Sequence, residues 1–404
     1  MSGPAPIPIS APVSSPAPRK LRIAVFNRTF SSTGGGAERY SIALVEQLAA
    51  RHEIHVFAQE IDHQLPGVTY HRVSAPLRKP RWINQLWFAT ATWWATRRGF
   101  DVVHSHENTW HGDVQTVHVL PVRYNLFHGR SGGRLFLRRI KVATSPRLLT
   151  YLWLERLRYV SRAGRQIVVT SDSLKAIMAA SYPACSGRLS VITPGITMPQ
   201  TPVTPERKGA ARELLGLPAA GPCLLFVAND FRKKGLYALL AALAHLPANV
   251  VLAVVGNAAR IPQFRERVNA LRLGGRVYFL GALKYMEPAY EAADCLVHPT
   301  LEDTFAMVVL EAMAYGLPVV VSGSGYCGIS ALLAHGVNAL ILDDPQDVSA
   351  LARSLLELLD QPALATRLGL GATDFATHYQ WRELALRQEA LYFAVAAEKN
   401  ADHS

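Results

Sequence analysis

Short runs of apolar residues recur along the chain and alternate with stretches whose apolar residues return every three or four positions. The runs Cys223–Ala228 and Val250–Val255 are apolar at every position, which is typical of strands covered on both faces. Intervening stretches such as Leu236–Leu246 and Pro262–Leu271 have helical periodicity. Strands that alternate with helices predict parallel sheets with right-handed crossovers, so the expected fold class is α/β.

The apolar runs fall into two arrays on either side of a proline-rich segment. The first array predicts strands near Arg22–Phe26, Ile54–Phe57, Val68–Val73, Asp101–His104, Val114–His118, Gln166–Thr170 and Leu189–Ile192. The second predicts strands near Cys223–Ala228, Val250–Val255, Arg276–Leu280, Cys295–His298, Pro318–Val321 and Ala339–Leu342. Residues 199–208 contain three Pro and no apolar periodicity, and we interpret them as a linker. The expected domains are therefore 21–198 and 209–375, followed by a C-terminal helix at 376–397.

Length and composition fit two domains. The chain has 404 residues, half of them hydrophobic, which is enough for two sizeable cores. It contains no uninterrupted apolar run of about 18 residues, so a membrane-spanning helix is not expected. Residues 1–20 are rich in Pro, Ala and Ser and have their basic residues last, which favours a disordered tail over a signal peptide. The four Cys are widely spaced and predict free thiols in a reducing compartment.

Charge is distributed unevenly between the two arrays. Residues 1–200 have a net charge of +15, the remainder has −3, and the whole chain has +12. Six of the seven Trp residues also lie in the first half. This basic half predicts an anionic partner for the N-terminal domain, whereas the C-terminal half has an ordinary surface.

The stretch from Val297 to Ser322, VHPTLEDTFAMVVLEAMAYGLPVVVS, carries the clearest functional signal. A buried strand ends in an acidic loop, Glu302-Asp303, and a helix and a second apolar strand follow. Ligands of parallel α/β sheets bind outside the carboxyl ends of the strands, where helix N-termini present free N–H groups. Asp303 and Glu311, with seven residues between them, are therefore placed to contact one ligand.

This pattern resembles the Glu-x7-Glu signature of the retaining family-four glycosyltransferases, which have the GT-B fold of two Rossmann-like domains facing a central cleft. The resemblance extends from Arg22 to about Phe393 and is greatest to the lipopolysaccharide core glucosyltransferase I group. It implies a C-terminal helix that crosses back to the N-terminal domain. Two residues depart from the family pattern. Asp303 replaces the usual Glu, with Glu302 beside it, and Ala306 stands where Gly is usual.

The resemblance also implies roles for these residues. Glu311 becomes the ligand of the ribose hydroxyls. The transferred sugar is held by the first acid, which is either Asp303 or Glu302, and by backbone N–H groups at Phe305, Ala306 and Met307. The nucleobase is expected near Gly256–Asn257 and Gly281–Leu283.

A basic turn, FVANDFRKKG, follows the first strand of the second array. Lys233 and Lys234 precede a helix-opening Gly, where cations can neutralise a diphosphate leaving group. The alternative is a solvated basic turn. The family places basic residues and then Lys-Gly here, which favours the site.

A run of three glycines, Gly34 to Gly36, precedes a helix predicted at Ala37–Ala49. Gly35 and Gly36 would let backbone N–H groups approach a phosphate or sugar, although a plain strand-to-helix turn has the same pattern. The run is neither GxGxxG nor a P-loop, which disfavours dinucleotide oxidoreductases and P-loop NTPases.

Two histidines follow strands of the N-terminal array, His106 in DVVHSHEN and His118 in QTVHVLP. In several relatives of the family a His here hydrogen-bonds the donor sugar, and either residue matches. The predicted catalytic set is therefore Asp303, His118 and Lys234, with His106 as a second candidate for binding the substrate. The turn Ile192–Ile196, which includes Gly195, is interpreted as structural.

The resemblance implies a hexose transferase that retains anomeric configuration, using a nucleotide diphosphate sugar, with UDP-glucose favoured. The implied acceptor is a glycolipid or polysaccharide such as lipopolysaccharide core. The chain has no Asp-x-Asp pair of the kind that holds a metal in GT-A enzymes, so we expect no cofactor and no essential metal. Two alternatives remain open, a nucleotide-sugar epimerase of the same fold and a non-catalytic scaffold that binds a nucleotide sugar.

Aromatic residues stand between basic ends in Arg78–Arg98, RKPRWINQLWFATATWWATRR, and Arg134–Arg165 adds further cations. Trp and Phe beside Lys and Arg suit the interface of an anionic membrane. The alternative is that the Trp residues fill the core and the cations are merely solvated. No DNA or RNA module accompanies the charge, so no nucleic-acid partner is expected. We therefore expect a cytoplasmic protein held peripherally on the inner face of the plasma membrane.

Overall fold

The computed structural model describes residues 19–31, 35–77 and 79–401. Nearly all of the tail predicted at 1–20 lies outside these ranges, as do Gly34 and Arg78. Within them the chain forms two parallel sheets of seven and six strands and one sheet of two very short strands. Each large sheet is covered by helices on both faces, as the continuous apolar runs predict.

The N-terminal domain is built on the seven-stranded sheet, whose order is β5-β3-β1-β6-β7-β8-β9. Its strands are β1 Arg22–Phe26, β2 Thr29–Phe30, β3 Glu53–Ala58, β4 Glu60–Ile61, β5 Val68–Arg72, β6 Val102–Ser105, β7 Val114–Val117, β8 Gln166–Val169 and β9 Leu189–Val191, of which β2 and β4 pair separately. Its helices are α1 Gly36–Leu48, α2 Arg81–Thr96, α3 Val122–Phe127, α4 Gly132–Ala143, α5 Pro146–Arg158 and α6 Asp172–Ser181.

The C-terminal domain is built on the six-stranded sheet, whose order is β12-β11-β10-β13-β14-β15. Its strands are β10 Cys223–Ala228, β11 Val251–Gly256, β12 Val277–Gly281, β13 Cys295–His298, β14 Val319–Ser322 and β15 Leu340–Leu342. The helices that follow the first domain are α7 Pro205–Leu214, α8 Leu236–Leu243, α9 Ile261–Ala270, α10 Glu287–Ala292, α11 Met307–Ala314, α12 Val348–Asp360, α13 Pro362–Thr377 and α14 Trp381–Ala401.

Strand prediction from the apolar runs is confirmed closely. Each of the thirteen predicted strands occurs, and its ends lie within one residue of those predicted. The short strands β2 and β4 were not predicted, because two residues are too few to show the alternation of apolar and polar positions. The linker predicted at 199–208 overlaps α7, because Thr204 caps that helix by accepting a hydrogen bond from the Arg207 N–H.

The last helix, α14, leaves the C-terminal domain and packs on the N-terminal domain. Its residues Trp381, Leu384 and Tyr392 are buried in the same core cluster as Tyr40 and Leu44 of α1. Polar contacts fix its far end as well, since the Lys399 ammonium donates to Asp113 of the N-terminal domain at 2.7 Å. The N-terminal core is therefore completed by the last part of the chain.

All four cysteines are free and buried, which confirms the prediction of free thiols. Within the described residues, no helix is long and apolar enough to cross a membrane. The helix α4 differs from the others because only Val142 of its twelve residues is buried. Phe136 and Leu137 on this helix are 64% and 67% exposed.

Candidate functional site

A cleft of about 700 Å³ lies between the two domains at the carboxyl ends of both large sheets. The N-terminal domain contributes the start of α1 and the loop after β7. The C-terminal domain contributes the loops after β10, β11, β12 and β13 and the start of α11. Among the predicted site residues, the cleft is lined by Gly35, Gly36, His118, Lys234, Glu302, Asp303, Phe305, Ala306 and Met307. His106, Lys233 and Glu311 are not among its lining residues.

Asp303 lies in the loop between β13 and α11 with every acceptor position of its carboxylate occupied. One oxygen accepts the backbone N–H groups of Phe305 at 3.2 Å and Ala306 at 2.8 Å. The other faces the Lys234 ammonium at 2.6 Å and His298 Nε2 at 3.2 Å. A carboxylate offers about four lone-pair sites, so Asp303 has none left for a sugar hydroxyl. It organises the loop instead.

The charge state of Asp303 follows from these partners. Burial alone would raise the pKa of its carboxyl group, but the Lys234 ammonium and the hydrogen bond with His298 hold that pKa well below the usual range. Burial lowers the pKa of His298 itself. Asp303 is therefore ionised and Lys234 is paired with it at neutral pH.

The start of α11 is unusual in its backbone. Ala306, its N-cap, has φ +71°, in the left-handed region that favours glycine. The resemblance implied that the N–H groups of Phe305 and Ala306 bind the sugar, but both already donate to Asp303. The N–H groups of Met307 and Val308, which line the cleft in the first turn of α11, have no carbonyl one turn earlier to bond with. These two are the backbone donors that α11 presents to the cleft.

The two lysines of the basic turn differ in position. The Lys234 ammonium donates to the Glu302 carbonyl and to Asp303, both at 2.6 Å, and lines the cleft. An ammonium has three donors, so one remains for a ligand. Lys233 is 54% exposed, pairs with the Glu302 carboxylate at 3.0 Å and does not itself line the cleft. Lys234 is thus the better-placed cation.

Glu311 lies under the cleft in an ion pair that joins the two domains. Its carboxylate faces the Arg39 guanidinium of α1 at 2.8 Å and accepts the Tyr290 hydroxyl. The carboxylate raises the pKa of Arg39 further, and burial together with this carboxylate raises that of Tyr290. Two lone-pair sites of Glu311 remain free by count, which is the number needed for a pair of neighbouring hydroxyl groups.

The two candidate histidines lie one behind the other. His118 is half-buried at the cleft, and its Nε2 is 2.9 Å from Nδ1 of the buried His106, with the rings stacked at an angle of 15°. Tyr40 packs against both rings. The sequence left open which of the two histidines faces the donor sugar. In the structure His118 lines the cleft, and His106 packs behind it.

Both imidazoles are neutral at physiological pH. Burial lowers the pKa of His118 to about 3, and the nearby Arg158 cation adds to this effect. Burial, with contributions from the neighbouring His104 and His118, also lowers the pKa of His106 well below its usual value. His118 therefore acts at the cleft as a neutral hydrogen-bonding group.

The glycines of the N-terminal loop meet the C-terminal domain. A Cβ atom on Gly36 would lie 3.5 Å from the Met307 sulfur, and one on Gly35 would lie 3.1 Å from its own helix residue Glu38. Thr304 also connects the two domains, because its hydroxyl donates to the His118 carbonyl at 2.7 Å. The start of α1 and the start of α11 thus face each other across the cleft.

The expected nucleobase region also lines the cleft in part. Gly256, Ala282 and Leu283 belong to its lining, together with Tyr285, which is 64% exposed. Gly256 has φ +146°, and a Cβ atom there would lie 1.7 Å from the Ala228 carbonyl oxygen. Because glycine has no Cβ atom, the loops after β10 and β11 can pack against each other here and form one wall of the cleft.

Several residues of the site were not predicted from the sequence. His298 ends a buried strand inside the motif already singled out, which was a usable signal. Arg39 lies in the first turn after the glycines, so it was also within reach. Tyr290 and Thr304 carry no signal of their own, because their partners belong to distant parts of the chain.

No metal site is evident in the part of the chain that the structure describes. No group of three His, Cys, Asp or Glu side chains there is arranged to hold a metal ion. Independence from metal stays a prediction.

Comparison with known families assigns each half of the chain separately. Residues 34–198 match the family described as Glycosyltransferase Family 4, and residues 208–374 match Glycosyl transferases group 1. The interval between the two matches, residues 199–207, follows β9 and includes the first turn of α7.

Among the most similar curated relatives are D-inositol 3-phosphate glycosyltransferases. The D-inositol 3-phosphate glycosyltransferase of Xylanimonas cellulosilytica is 31% identical over 244 residues, which are 56% of this chain and 58% of the relative. That of Thermobispora bispora is 31% identical over 228 residues, 52% of this chain and 51% of the relative. The chain thus matches little more than half the length of these relatives. The sequence had favoured the lipopolysaccharide core group, which these relatives do not support.

Solved structures share the whole architecture. WaaG, a glycosyltransferase involved in lipopolysaccharide biosynthesis, has a TM-score of 0.79 at 22% identity, covering 92% of this chain and 99% of its own. Anabaena Alr3699/HepE, solved with UDP and glucose, has a TM-score of 0.72 at 17% identity, covering 92% of this chain and 98% of its own. At these identities the likeness establishes the fold, with two Rossmann-like domains facing a cleft. Together with the two family matches, it gives this chain the GT-B fold, with two domains that each match a glycosyltransferase family.

Proposed function

We propose that the protein transfers a hexose from a nucleotide diphosphate sugar, with UDP-glucose favoured, to a phosphate-bearing acceptor, with retention of anomeric configuration. The observation that carries this proposal is the set of groups that the C-terminal domain places in the cleft and directly beneath it. Lys234 keeps one free donor, Glu311 keeps two free acceptor sites, and α11 presents two N–H groups. A cleft of about 700 Å³ also falls in the usual range for small-molecule sites.

Each group suits one part of such a donor. The free acceptor sites of Glu311 would take ribose hydroxyls, while the α11 N-terminus and Lys234 would take the diphosphate. Glu302, 37% exposed and with one oxygen facing Lys233, has acceptor capacity that Asp303 lacks. We therefore assign the contact with the sugar to Glu302 and give Asp303 the task of fixing the loop.

Catalysis in this arrangement is positioning combined with stabilisation of the leaving group. As the bond to the sugar breaks, negative charge develops on the diphosphate, and Lys234 and the α11 N–H groups are already in place to stabilise it. His118 supplies a neutral hydrogen bond from the N-terminal domain. The acceptor would attack from the face that the diphosphate leaves, which accounts for retention without a carboxylate nucleophile.

The acceptor is assigned to the basic N-terminal half, whose net charge is +15 over residues 1–200. The curated relatives are named for an inositol phosphate, and WaaG for lipopolysaccharide biosynthesis. Phosphate is the chemistry shared by an inositol phosphate and a phosphorylated glycolipid. We therefore propose a phosphorylated polyol or sugar as the acceptor class, in either its free or its lipid-attached form.

A membrane-bound acceptor is favoured by the surface of α4. Phe136, Leu137 and Ile140 are 64%, 67% and 45% exposed, and they alternate with basic residues of the same helix. Trp94 of α2 and Trp153 of α5 are 63% and 50% exposed, so these Trp residues do not fill the core. Exposed apolar and basic residues on one helix suit the interface of an anionic membrane. The proposed location is thus peripheral, on the cytoplasmic face of the plasma membrane.

The direct test is a panel of nucleotide sugars offered with three acceptors, namely inositol 3-phosphate, a phosphorylated heptose glycolipid and unphosphorylated inositol. Products are scored by mass spectrometry. We expect a hexose added to a phosphorylated acceptor, with UDP-glucose as the preferred donor. Transfer to the unphosphorylated acceptor alone would contradict the assigned acceptor class. An epimerised nucleotide sugar with no transfer product would contradict the proposed transferase activity and favour the alternative, a nucleotide-sugar epimerase.

Glu311→Ala tests the nucleotide site. Loss of hydrogen bonds to a largely buried ligand should weaken UDP binding and transition-state stabilisation by roughly 2–4 kcal/mol. Isothermal titration calorimetry measures the affinity, and circular dichroism checks folding. Glu357→Ala on the exposed face of α12 removes the same charge outside the cleft and should change neither quantity. A folded Glu311→Ala variant with normal UDP affinity would remove Glu311 from the site.

A further inference from the structure

A chain of three histidines runs from the cleft into the core of the N-terminal domain, and the proposed function uses only the first. His118 lies at the cleft, His106 lies behind it, and His104 lies behind His106 with ring centroids 4.2 Å apart. Both ring nitrogens of His104 are hydrogen-bonded, one with the Tyr392 hydroxyl and the other with the Thr116 hydroxyl, each at 2.6 Å. His106 is different, because its Nε2 is buried and has no partner among the described residues.

The contact between His106 and His118 admits only one proton. His106 Nδ1 and His118 Nε2 are 2.9 Å apart, so one nitrogen donates and the other accepts. Both rings are neutral, and each therefore carries a single N–H. Whichever nitrogen donates within the pair therefore also decides whether Nδ1 of His118 presents an N–H or a lone pair to the cleft.

The two arrangements leave different groups unpaired inside the protein. If His118 donates, the proton of His106 stays on Nε2, where a buried N–H has no acceptor. If His106 donates, only a lone pair is left at that nitrogen. A buried N–H without an acceptor is the costlier of the two, since orphaned buried N–H groups are rarer in folded proteins than under-satisfied acceptors. The second arrangement therefore has the lower energy.

We infer that His106 is a positioning residue that fixes the tautomer of His118, so that His118 presents an Nδ1–H donor to the cleft. This inference rests on the proposed function, since the ligand atom that accepts from Nδ1–H is assigned to a hydroxyl oxygen of the transferred sugar. Tyr40 holds the geometry by packing on both rings. The site is thereby prepared for an oxygen acceptor before any ligand binds.

The tautomer can be read without activity, by nitrogen-detected NMR of the full chain labelled in histidine, with the His118 signals identified by their loss in His118→Gln. We expect Nδ1 protonated and Nε2 unprotonated in both His106 and His118. A proton on Nε2 of His118 would overturn the inference, whether or not the protein transfers sugar. A correct tautomer in a protein that turns over no nucleotide sugar would overturn the proposed function instead.

Two variants then link the tautomer to catalysis. His106→Leu removes the donor and should lower kcat about tenfold while leaving the affinity for UDP unchanged. His106→Asn keeps an N–H near the position of Nδ1 and should restore most of kcat. His71→Leu is the matched control, because it breaks a second stacked His–His contact of 2.9 Å, with His55, away from the cleft. Equal losses of kcat in His106→Leu and His106→Asn, with both folded, would contradict the inference.

Discussion

Ala306 shows how one backbone conformation constrains the site. Its φ of +71° costs an L-residue roughly 1–2 kcal/mol, and glycine would adopt it freely. The conformation is maintained because the Ala306 N–H donates to Asp303 and the Val309 N–H bonds to the Ala306 carbonyl. The first turn of α11 thus points its free N–H groups into the cleft at the cost of local strain.

Ala306→Gly should leave stability nearly unchanged, within about 0.5 kcal/mol. Relief of the left-handed strain offsets the loss of a buried methyl group and the greater freedom of glycine in the unfolded chain. Ala312→Gly in the middle of the same helix, also fully buried, has no strain to relieve and should cost about 1.5–2 kcal/mol. Urea unfolding of both variants measures the difference. Equal costs would mean that Ala306 is not strained.

For individual residues, the sequence predicted which side chains lie at the cleft better than it predicted which groups they contact. The position of Asp303, His118 and Lys234 in the cleft could be predicted because each follows the carboxyl end of a strand in its own domain's sheet, where ligands of parallel sheets bind. That Asp303 has no free lone pair could not be predicted, because its partners His298 and Lys234 come from two different strand ends. The pair of Arg39 and Glu311 joins separate domains, and no local pattern encodes such a contact.

Among the elements, strands were the easiest to predict and α4 the most informative to observe. A strand buried on both faces must be apolar at every position, so β10 and β11 could be read directly from the sequence. In α4 the apolar residues also have helical spacing, which normally indicates a face packed on the core. The structure leaves Phe136, Leu137 and Ile140 exposed instead, and sequence alone could not distinguish these two outcomes.

Neutralising Arg134, Arg138, Arg139 and Lys141 together should weaken binding to anionic vesicles and leave UDP affinity unchanged. Each cation near such a surface contributes roughly 1 kcal/mol, and UDP is assigned to the other domain. Vesicle sedimentation at low and physiological salt measures the effect, which should shrink at higher salt because charge is screened while apolar insertion is not.

A control for this experiment exists on the opposite domain. Arg260, Arg265, Arg267 and Arg272 are exposed around α9, and their replacement removes the same number of charges. That variant should sediment with anionic vesicles as the unmodified protein does. Equal sedimentation of the unmodified protein with neutral and anionic vesicles would contradict the electrostatic account. Absence of binding to either kind would remove the membrane from the proposal.

For the whole molecule, the two domains provide the site only in combination. Positive charge from Lys234 and the α11 N-terminus comes from one side, and His118, α1 and Arg39 come from the other. This division follows from two parallel sheets that direct their carboxyl ends at each other. The two sheets could be predicted because the apolar runs fall into two separate arrays, whereas the cleft between them was implied only by the family resemblance.

Transfer should persist in excess EDTA, because protein groups supply the positive charge that the leaving diphosphate needs. The measurement is the initial rate of transfer after incubation with chelator, compared with the rate after added Mn²⁺ or Mg²⁺. Unchanged rates are expected in all cases. Loss of activity in EDTA that Mn²⁺ restores would assign the stabilisation of the leaving group to a metal.

The crossing of α14 has a consequence for how this chain is made. A protein emerges from the ribosome with its N-terminal part first, and domains generally fold as they appear. Here the face of α1 that carries Tyr40 and Leu44 is covered by Trp381, Leu384 and Tyr392, which are synthesised near the end. The N-terminal domain therefore emerges before the C-terminal domain but is completed after it, and an apolar face of α1 stays uncovered while the C-terminal domain is synthesised.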